Sequence, residues 1–84
     1  MDDIEGSFPH TLTMNGGKWL TAYVEWWSHG EHFDTIVDNA EWDICIYFDG
    51  ERYSIYDRLV GTEETDIDKR LPTEIERSLE CIGH

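Results

Sequence analysis

The chain has few basic side chains. It has 6 Lys and Arg residues against 19 Asp and Glu residues among its 84, so its formal charge is −13 with the histidines neutral. Such a charge repels the phosphates of nucleic acid and the headgroups of anionic lipid. We therefore expect no direct nucleic-acid binding and no membrane association, and we expect a charged partner to be basic.

Cysteine and long apolar runs are also scarce. Cys45 and Cys81 are the only 2 cysteines, too few for a disulfide framework. No apolar run is long enough to cross a bilayer, and the acidic start Met1-Asp2-Asp3 is unlike the basic leader of a signal peptide. These features favour a reducing, cytoplasmic setting.

The sequence carries no known catalytic signature. It contains no nucleophile elbow, no phosphate-binding loop and no Cys-x-x-Cys. Glu41 and Asp43 are close enough in sequence to suggest paired acid–base catalysis. However, so short a chain has little material for both a core and a concave pocket. We expect neither an enzyme nor a cofactor.

Apolar residues are nevertheless plentiful enough for a folded domain. Hydrophobic residues make up 39% of the chain and aromatic residues 13%, which argues against intrinsic disorder despite the charge. We expect one domain over residues 1–84, in which residues 1–7 form a flexible polar arm.

Alternating polarity from Phe8 onward predicts strands. Asn15-Gly16-Gly17 predicts a turn, and a three-residue loop there pairs Phe8 with Val24 and Leu12 with Leu20. A two-residue loop would place Leu12 opposite Trp19 instead, because a slip of one residue inverts the faces of a strand. We favour the three-residue loop.

A second hairpin is centred on Asp49-Gly50, which fits a type I′ turn. This turn sets a register with apolar pairs on one side and acid–base or aromatic–base pairs on the other. The expected pairs are Ile44 with Ile55, Ile46 with Tyr53, Glu41 with Arg58, and Tyr47 with Arg52.

The remaining segments are predicted as a short strand, a loop and a helix. Residues 33–37 include a β-branched run, which favours a strand, and residues 61–70 are polar and acidic, as in a loop. Thr73-Glu74-Ile75-Glu76 is a capping box, and Ile75, Leu79 and Ile82 share one helix face. The expected fold is α+β: an antiparallel meander of four to five strands with one C-terminal α-helix packed on a face.

Two groups of side chains resemble metal ligands. His29, His32, Cys81 and His84 have zinc-type spacing within each pair, but the two pairs are far apart in sequence. Residues 63–68 are rich in carboxylates but lack the ligand order of an EF-hand. We expect surface histidines and solvated acids at these positions, with no metal site, although a small zinc-binding domain remains an alternative.

The most informative pattern is the joint occurrence of acids and aromatic rings in the first half of the chain. Aromatic residues dominate interface hot spots, and carboxylates beside them steer a cationic partner. We expect a small acidic binding module that acts as an inhibitor or as a nucleic-acid-mimicking decoy against a basic protein, as some virus-encoded inhibitors do. The predicted partner-binding residues are Trp19, Tyr23, Glu25, Trp27, Asp34, Asp38, Glu41 and Asp43. The alternatives are a homodimer or larger homo-oligomer that buries its own aromatic residues, and a soluble acidic domain with an unrelated role.

Overall fold

The computed structural model describes residues 3–13, 16–59 and 61–82. In this part of the chain the elements are β1 (Asp3–Thr13), β2 (Trp19–His29), α1 (Phe33–Asn39), β3 (Glu41–Phe48), β4 (Glu51–Ser54), a 3-10 turn (Tyr56–Arg58) and α2 (Gly61–Ile82). The strands form one antiparallel sheet in the order β1-β2-β3-β4. The predicted α+β meander with a C-terminal helix is therefore confirmed. No helix in the described ranges has both the length and the apolar character needed to cross a bilayer.

The first hairpin has the register of the three-residue loop. Phe8 is opposite Val24 and Leu12 is opposite Leu20. Gly16 and Gly17 both have positive φ, at 85° and 80°, a backbone region that glycine enters without steric cost. The hydrophobic faces of β1 and β2 consequently meet the same core.

Most of the expected polar arm is instead part of a strand. β1 begins at Asp3, and residues 3–7 pair with residues 25–29 of the equally long β2. Ile4 packs against the core cluster. Gly6 lies opposite the buried Trp26, and a Cβ at Gly6 would lie only 2.7 Å from the indole. The absent side chain thus makes room for that ring. Met1 and Asp2 lie outside the described residues.

The second hairpin also has the predicted turn and register. Asp49 and Gly50 have positive φ of 55° and 81°, as a type I′ turn requires. Ile46 is opposite Tyr53 and Tyr47 is opposite Arg52. The Ile55 amide donates to the Ile44 carbonyl at 2.9 Å, in the predicted alignment.

The predicted pair of Glu41 with Arg58 is wrong. β4 ends at Ser54, and Tyr56–Arg58 form a 3-10 turn that takes the chain away from the sheet. Glu41 faces Trp27 of β2 on its other side.

The strand predicted at residues 33–37 is wrong as well, because this segment is the short helix α1. The Ile36 amide donates to the His32 carbonyl at 2.9 Å, and the Ile36 side chain is buried in the core cluster. The buried Ser28 hydroxyl donates to the Ile36 carbonyl. Tertiary packing of one isoleucine here outweighs the β propensity of the Thr-Ile-Val run.

The C-terminal helix is much longer than the capping box predicted. α2 covers the expected loop at residues 61–70 and continues through Pro72. Proline has no amide hydrogen, so one helical bond is lost there. Buried Leu71 and Ile75 on either side of Pro72 hold the helix against the sheet. Ile67, four residues before Leu71, is fully buried and extends the apolar stripe by one turn. The stripe includes Leu79, whereas the Ile82 side chain lies outside the described residues.

Polar contacts join the first half of α2 to the strands and the 3-10 turn. His10 of β1 is buried between Glu63, 2.9 Å from Nε2, and Arg70, 3.2 Å from Nδ1. The Trp42 indole donates to Asp68 at 2.8 Å, and the Tyr56 hydroxyl to Glu64 at 2.8 Å. Three acids of the run at residues 63–68 therefore bond to three different partners instead of converging on one point.

Candidate functional site

One face of the sheet is covered by α2, and the other is covered by no described element. We call the second face the outer face. Side chains alternate along each strand, so the outward positions of β1, β2 and β3 share this face with Arg52 of β4. Its acids and aromatic rings are Asp3, Glu5, Glu25, Glu41, Asp43, Trp19, Tyr23, Trp27 and Tyr47.

The structure brings together six of the eight predicted partner-binding residues. Trp19, Tyr23, Glu25, Trp27, Glu41 and Asp43 all lie on the outer face. Asp34 and Asp38 do not, because they are exposed residues of α1, whose Ile36 packs into the core on the other side of the sheet. Asp34 leaves the sheet because residues 33–37 form part of a helix and not the predicted strand.

The predicted set lacked Asp3, Glu5, Tyr47 and Arg52, which also belong to the outer face. The signal for Glu5 was available, since alternation continues upstream of Phe8 with Ile4 and Gly6 inward and Glu5 outward. The position of Arg52 next to Glu25 depends on two strand pairings and could not be read from local sequence.

Cross-strand pairing arranges these side chains in rows. One row runs Glu5, Trp27, Glu41 and the next runs Ser7, Glu25, Asp43. Neighbours in such a row have Cβ atoms about 4.5–5.5 Å apart. The first row therefore places a tryptophan between two carboxylates, and the second places two carboxylates side by side.

Arg52 neutralises the paired carboxylates of the second row. Its Nε donates to Glu25 at 2.9 Å and its Nη2 to Asp43 at 3.0 Å. The Tyr47 hydroxyl donates to Glu25 at 3.2 Å, and the Ser54 hydroxyl donates to Asp43 at 2.9 Å. This guanidinium-centred cluster offsets the repulsion that two adjacent carboxylates would otherwise feel.

The cluster lowers the pKa of the Asp43 carboxyl. Partial burial raises that pKa, but hydrogen bonds from Arg52, Ser54 and the Ile44 amide outweigh burial and hold it below its ordinary value. The charged form is therefore the favoured one in the folded protein. Since the folded pKa is depressed, Asp43 contributes stability above its unfolded pKa, and that contribution is lost as the pH falls through the folded pKa.

Replacing Arg52 should reverse this shift. In Arg52→Gln we expect the pKa of Asp43 to rise, because the carboxyl loses its guanidinium donor and stays beside Glu25. NMR titration of the side-chain carboxyl carbon measures it directly. Arg77→Gln is the control, since Arg77 lies on α2, where it pairs with Glu74, and its replacement should leave Asp43 unchanged. An Asp43 titration that is the same in wild type and Arg52→Gln would contradict the assigned cluster.

Trp27 stands between two hollows of the outer face. Its ring is 44% exposed, and its Nε1 donates to Glu41 Oε2 at 3.1 Å, which fixes the ring's orientation. One hollow has a volume of about 480 Å³ and includes Asp3, Glu5, His29 and Glu41 in its lining. The other, of about 430 Å³, is lined partly by Glu5 and Glu25. Both are bordered by carboxylates.

The opposite end of the face is more aromatic. Trp19 is 78% exposed, and the Tyr23 and Tyr47 rings meet edge to face with centroids 5.7 Å apart. Cys45, directly across from Tyr23, is completely buried although it points outward. Burial, followed by the Glu25 carboxylate, raises the pKa of its thiol, so the thiol is held in its unreactive form.

The structure describes the side chains of two of the four possible zinc ligands, His29 and His32. His29 ends β2 and His32 precedes α1, whereas the Cys81 side chain and His84 lie outside the described residues. Among residues 3–13, 16–59 and 61–80, no group of three or more His, Cys, Asp or Glu side chains is arranged to hold a metal ion.

Comparison of the chain with models of known protein families, with curated proteins and with solved structures gives no match. The proposals below therefore rest on the residues of the outer face themselves.

Proposed function

We propose that this protein is a small binding module that docks its outer face on a basic, partly apolar protein surface. The observation that supports the proposal is the coincidence of exposed rings and carboxylates on one uncovered sheet face. Trp19, Trp27 and Tyr47 are each exposed by more than two fifths. Large aromatic side chains of this kind are the residues that most often carry binding energy at interfaces.

The charge of the chain sets the chemistry of the partner. A formal charge of −13 raises the encounter rate with a cationic surface and slows it with an anionic one. Many basic protein surfaces are nucleic-acid-binding grooves, and carboxylates held on a rigid sheet are suited to occupy phosphate positions in such a groove. We therefore propose a cytoplasmic inhibitor or decoy, of the type that viruses encode, that binds no nucleic acid itself.

A second copy of the chain is the competing occupant of the outer face. It would bury the same rings, but two copies would bring together two charges of −13, and only partial screening by salt offsets that repulsion. The observed charge thus favours a basic partner over a homodimer.

Charge reversal on and off the outer face tests the proposal. The double variant Glu5→Lys with Glu41→Lys is compared with Asp34→Lys with Asp38→Lys, which changes the net charge equally but alters α1. Each variant is immobilised and incubated with host-cell lysate, and the bound proteins are eluted with a salt gradient. The association rate of each variant is then measured with the purified captured protein. We expect the outer-face variant to associate about tenfold more slowly at low salt than the α1 variant.

Two further measurements decide the class of partner. A captured protein that is basic and releases its bound duplex DNA or RNA when the chain binds it supports the decoy. Equal capture by both double variants, or a partner that is not basic, contradicts the proposal. Light scattering at micromolar concentration addresses the homodimer: a dimer that Trp19→Ser dissociates would assign the face to a second copy.

A further inference from the structure

We propose that Trp27, with Glu5 and Glu41 on either side, forms a binding site for an arginine side chain of the partner. This inference rests on the proposed function and names the contact by which the outer face recognises a basic surface. It assigns the guanidinium a position over the indole ring and between the two carboxylates.

The position of the ring supports the site. Trp27 lies on β2, an interior strand of the sheet, with Glu5 of β1 and Glu41 of β3 as its cross-strand neighbours. The bond from the indole Nε1 to Glu41 holds the ring in place. An indole face attracts a cation through its quadrupole, and tryptophan is the strongest of the aromatic residues in this respect.

Space and charge at the ring favour a cationic ligand. The hollows beside Trp27, of about 480 and 430 Å³, leave room for a side chain to reach the ring. Their titratable lining groups are Asp3, Glu5, Glu25, His29 and Glu41. Of these only His29 can carry positive charge. No salt bridge joins Glu5 or Glu41 to a Lys or Arg of the described residues.

The neighbouring row shows that this face binds a guanidinium. Two residues along β2, Glu25 and Asp43 are direct cross-strand neighbours and share the guanidinium of Arg52. The row of Trp27 also has two carboxylates, but Glu5 and Glu41 lie on strands two apart, with the flat ring of Trp27 between them. Arginine suits such a site better than lysine, because its planar group stacks on an aromatic face while its N–H groups donate to carboxylates.

The test uses the whole chain and a small probe. N-acetyl-arginine amide is titrated into ¹⁵N-labelled protein, and the indole N–H signals are followed by NMR, with Trp27→Phe used to assign the Trp27 signal. N-acetyl-citrulline amide, which has the same shape without the charge, is the matched ligand control. Trp19 is the matched internal control, since it is an exposed ring whose cross-strand neighbour is Thr13.

We expect the arginine probe to shift the Trp27 signal in a saturable way and to leave Trp19 nearly unmoved. Glu41→Gln and Glu5→Gln should each weaken binding several-fold, and citrulline should bind at least about tenfold more weakly than arginine. Equal shifts at Trp19 and Trp27, equal binding of citrulline, or equally tight binding of N-acetyl-lysine amide would overturn the assignment.

The arginine-probe titration and the charge-reversal experiment can fail independently of each other. If the arginine probe fails while charge reversal of Glu5 and Glu41 still slows association with a captured basic protein, the docking face stands and this site falls. If the probe binds but both double variants capture the same proteins, the site stands and the proposed function falls.

Discussion

Ile67→Ala is expected to lower the free energy of unfolding by about 2–5 kcal/mol, because Ile67 is fully buried between α2 and the sheet and its truncation leaves a cavity. Urea denaturation followed by circular dichroism measures the loss. Asp66→Ala, at the exposed neighbouring position, is the control and should change stability by less than about 0.5 kcal/mol.

This prediction tests the largest difference between the sequence-based fold and the observed one. Residues 61–70 have the polarity of a loop, and Ile67 is their one fully buried apolar side chain within α2. A loss below about 1 kcal/mol in Ile67→Ala would mean that the first half of α2 is not docked on the sheet.

Gly6→Ala is expected to destabilise the fold by about 1–3 kcal/mol. The new Cβ would lie 2.7–2.8 Å from three atoms of the Trp26 indole, and Trp26 is buried and cannot swing away. Thermal and urea unfolding of the variant measure the effect. Gly61→Ala is the matched control, because a Cβ at Gly61 meets nothing within 4 Å.

A second substitution identifies the ring as the cause. Trp26→Phe removes the indole nitrogen, which is buried without a hydrogen-bond partner among the described residues, and the ring atoms nearest to Gly6. In the Trp26→Phe background, Gly6→Ala should cost at least about 1 kcal/mol less than in wild type. Equal costs in the two backgrounds would rule out the indole contact as the source of the strain.

The hairpins could be predicted because their determinants are local. Asp49-Gly50 selects one turn type, which sets the pairing of Ile46 with Tyr53. Around Asn15-Gly16-Gly17 the choice between two loops was decided by matching Leu12 with Leu20, since only that match puts the aliphatic faces together.

Helix α1 and the first half of α2 could not be predicted because long-range packing decides them. α1 has a β-branched sequence and becomes helical around one buried residue, Ile36. In α2, the capping box at Thr73 imitates a helix start, yet the buried stripe from Ile67 to Ile75 continues past Pro72 without interruption. Turn residues specify their own conformation, whereas these segments obtain theirs from the sheet.

The part of the candidate site that could be predicted is the part set by the alternation of side chains along a strand. Period two groups Trp19, Tyr23, Glu25 and Trp27 on one face of β2, and the register of the three-residue loop turns that face outward. Their partners do not follow from alternation, because Glu41 comes next to Trp27, and Arg52 next to Glu25, only through the pairing of β2, β3 and β4. Sequence therefore indicated the kind of surface but not which of its carboxylates already hold a cation.

The burial of Cys45 makes its thiol a chemical probe of how often the sheet opens. Its thiol faces outward but is sealed, and the raised pKa keeps it protonated, so an alkylating reagent modifies it only while β2 and β3 are apart. With Cys81 replaced by serine, the alkylation rate of Cys45 measures how often β2 and β3 separate. A ligand bound over Tyr23 and Tyr47 would make these openings rarer and would therefore lower the alkylation rate of Cys45.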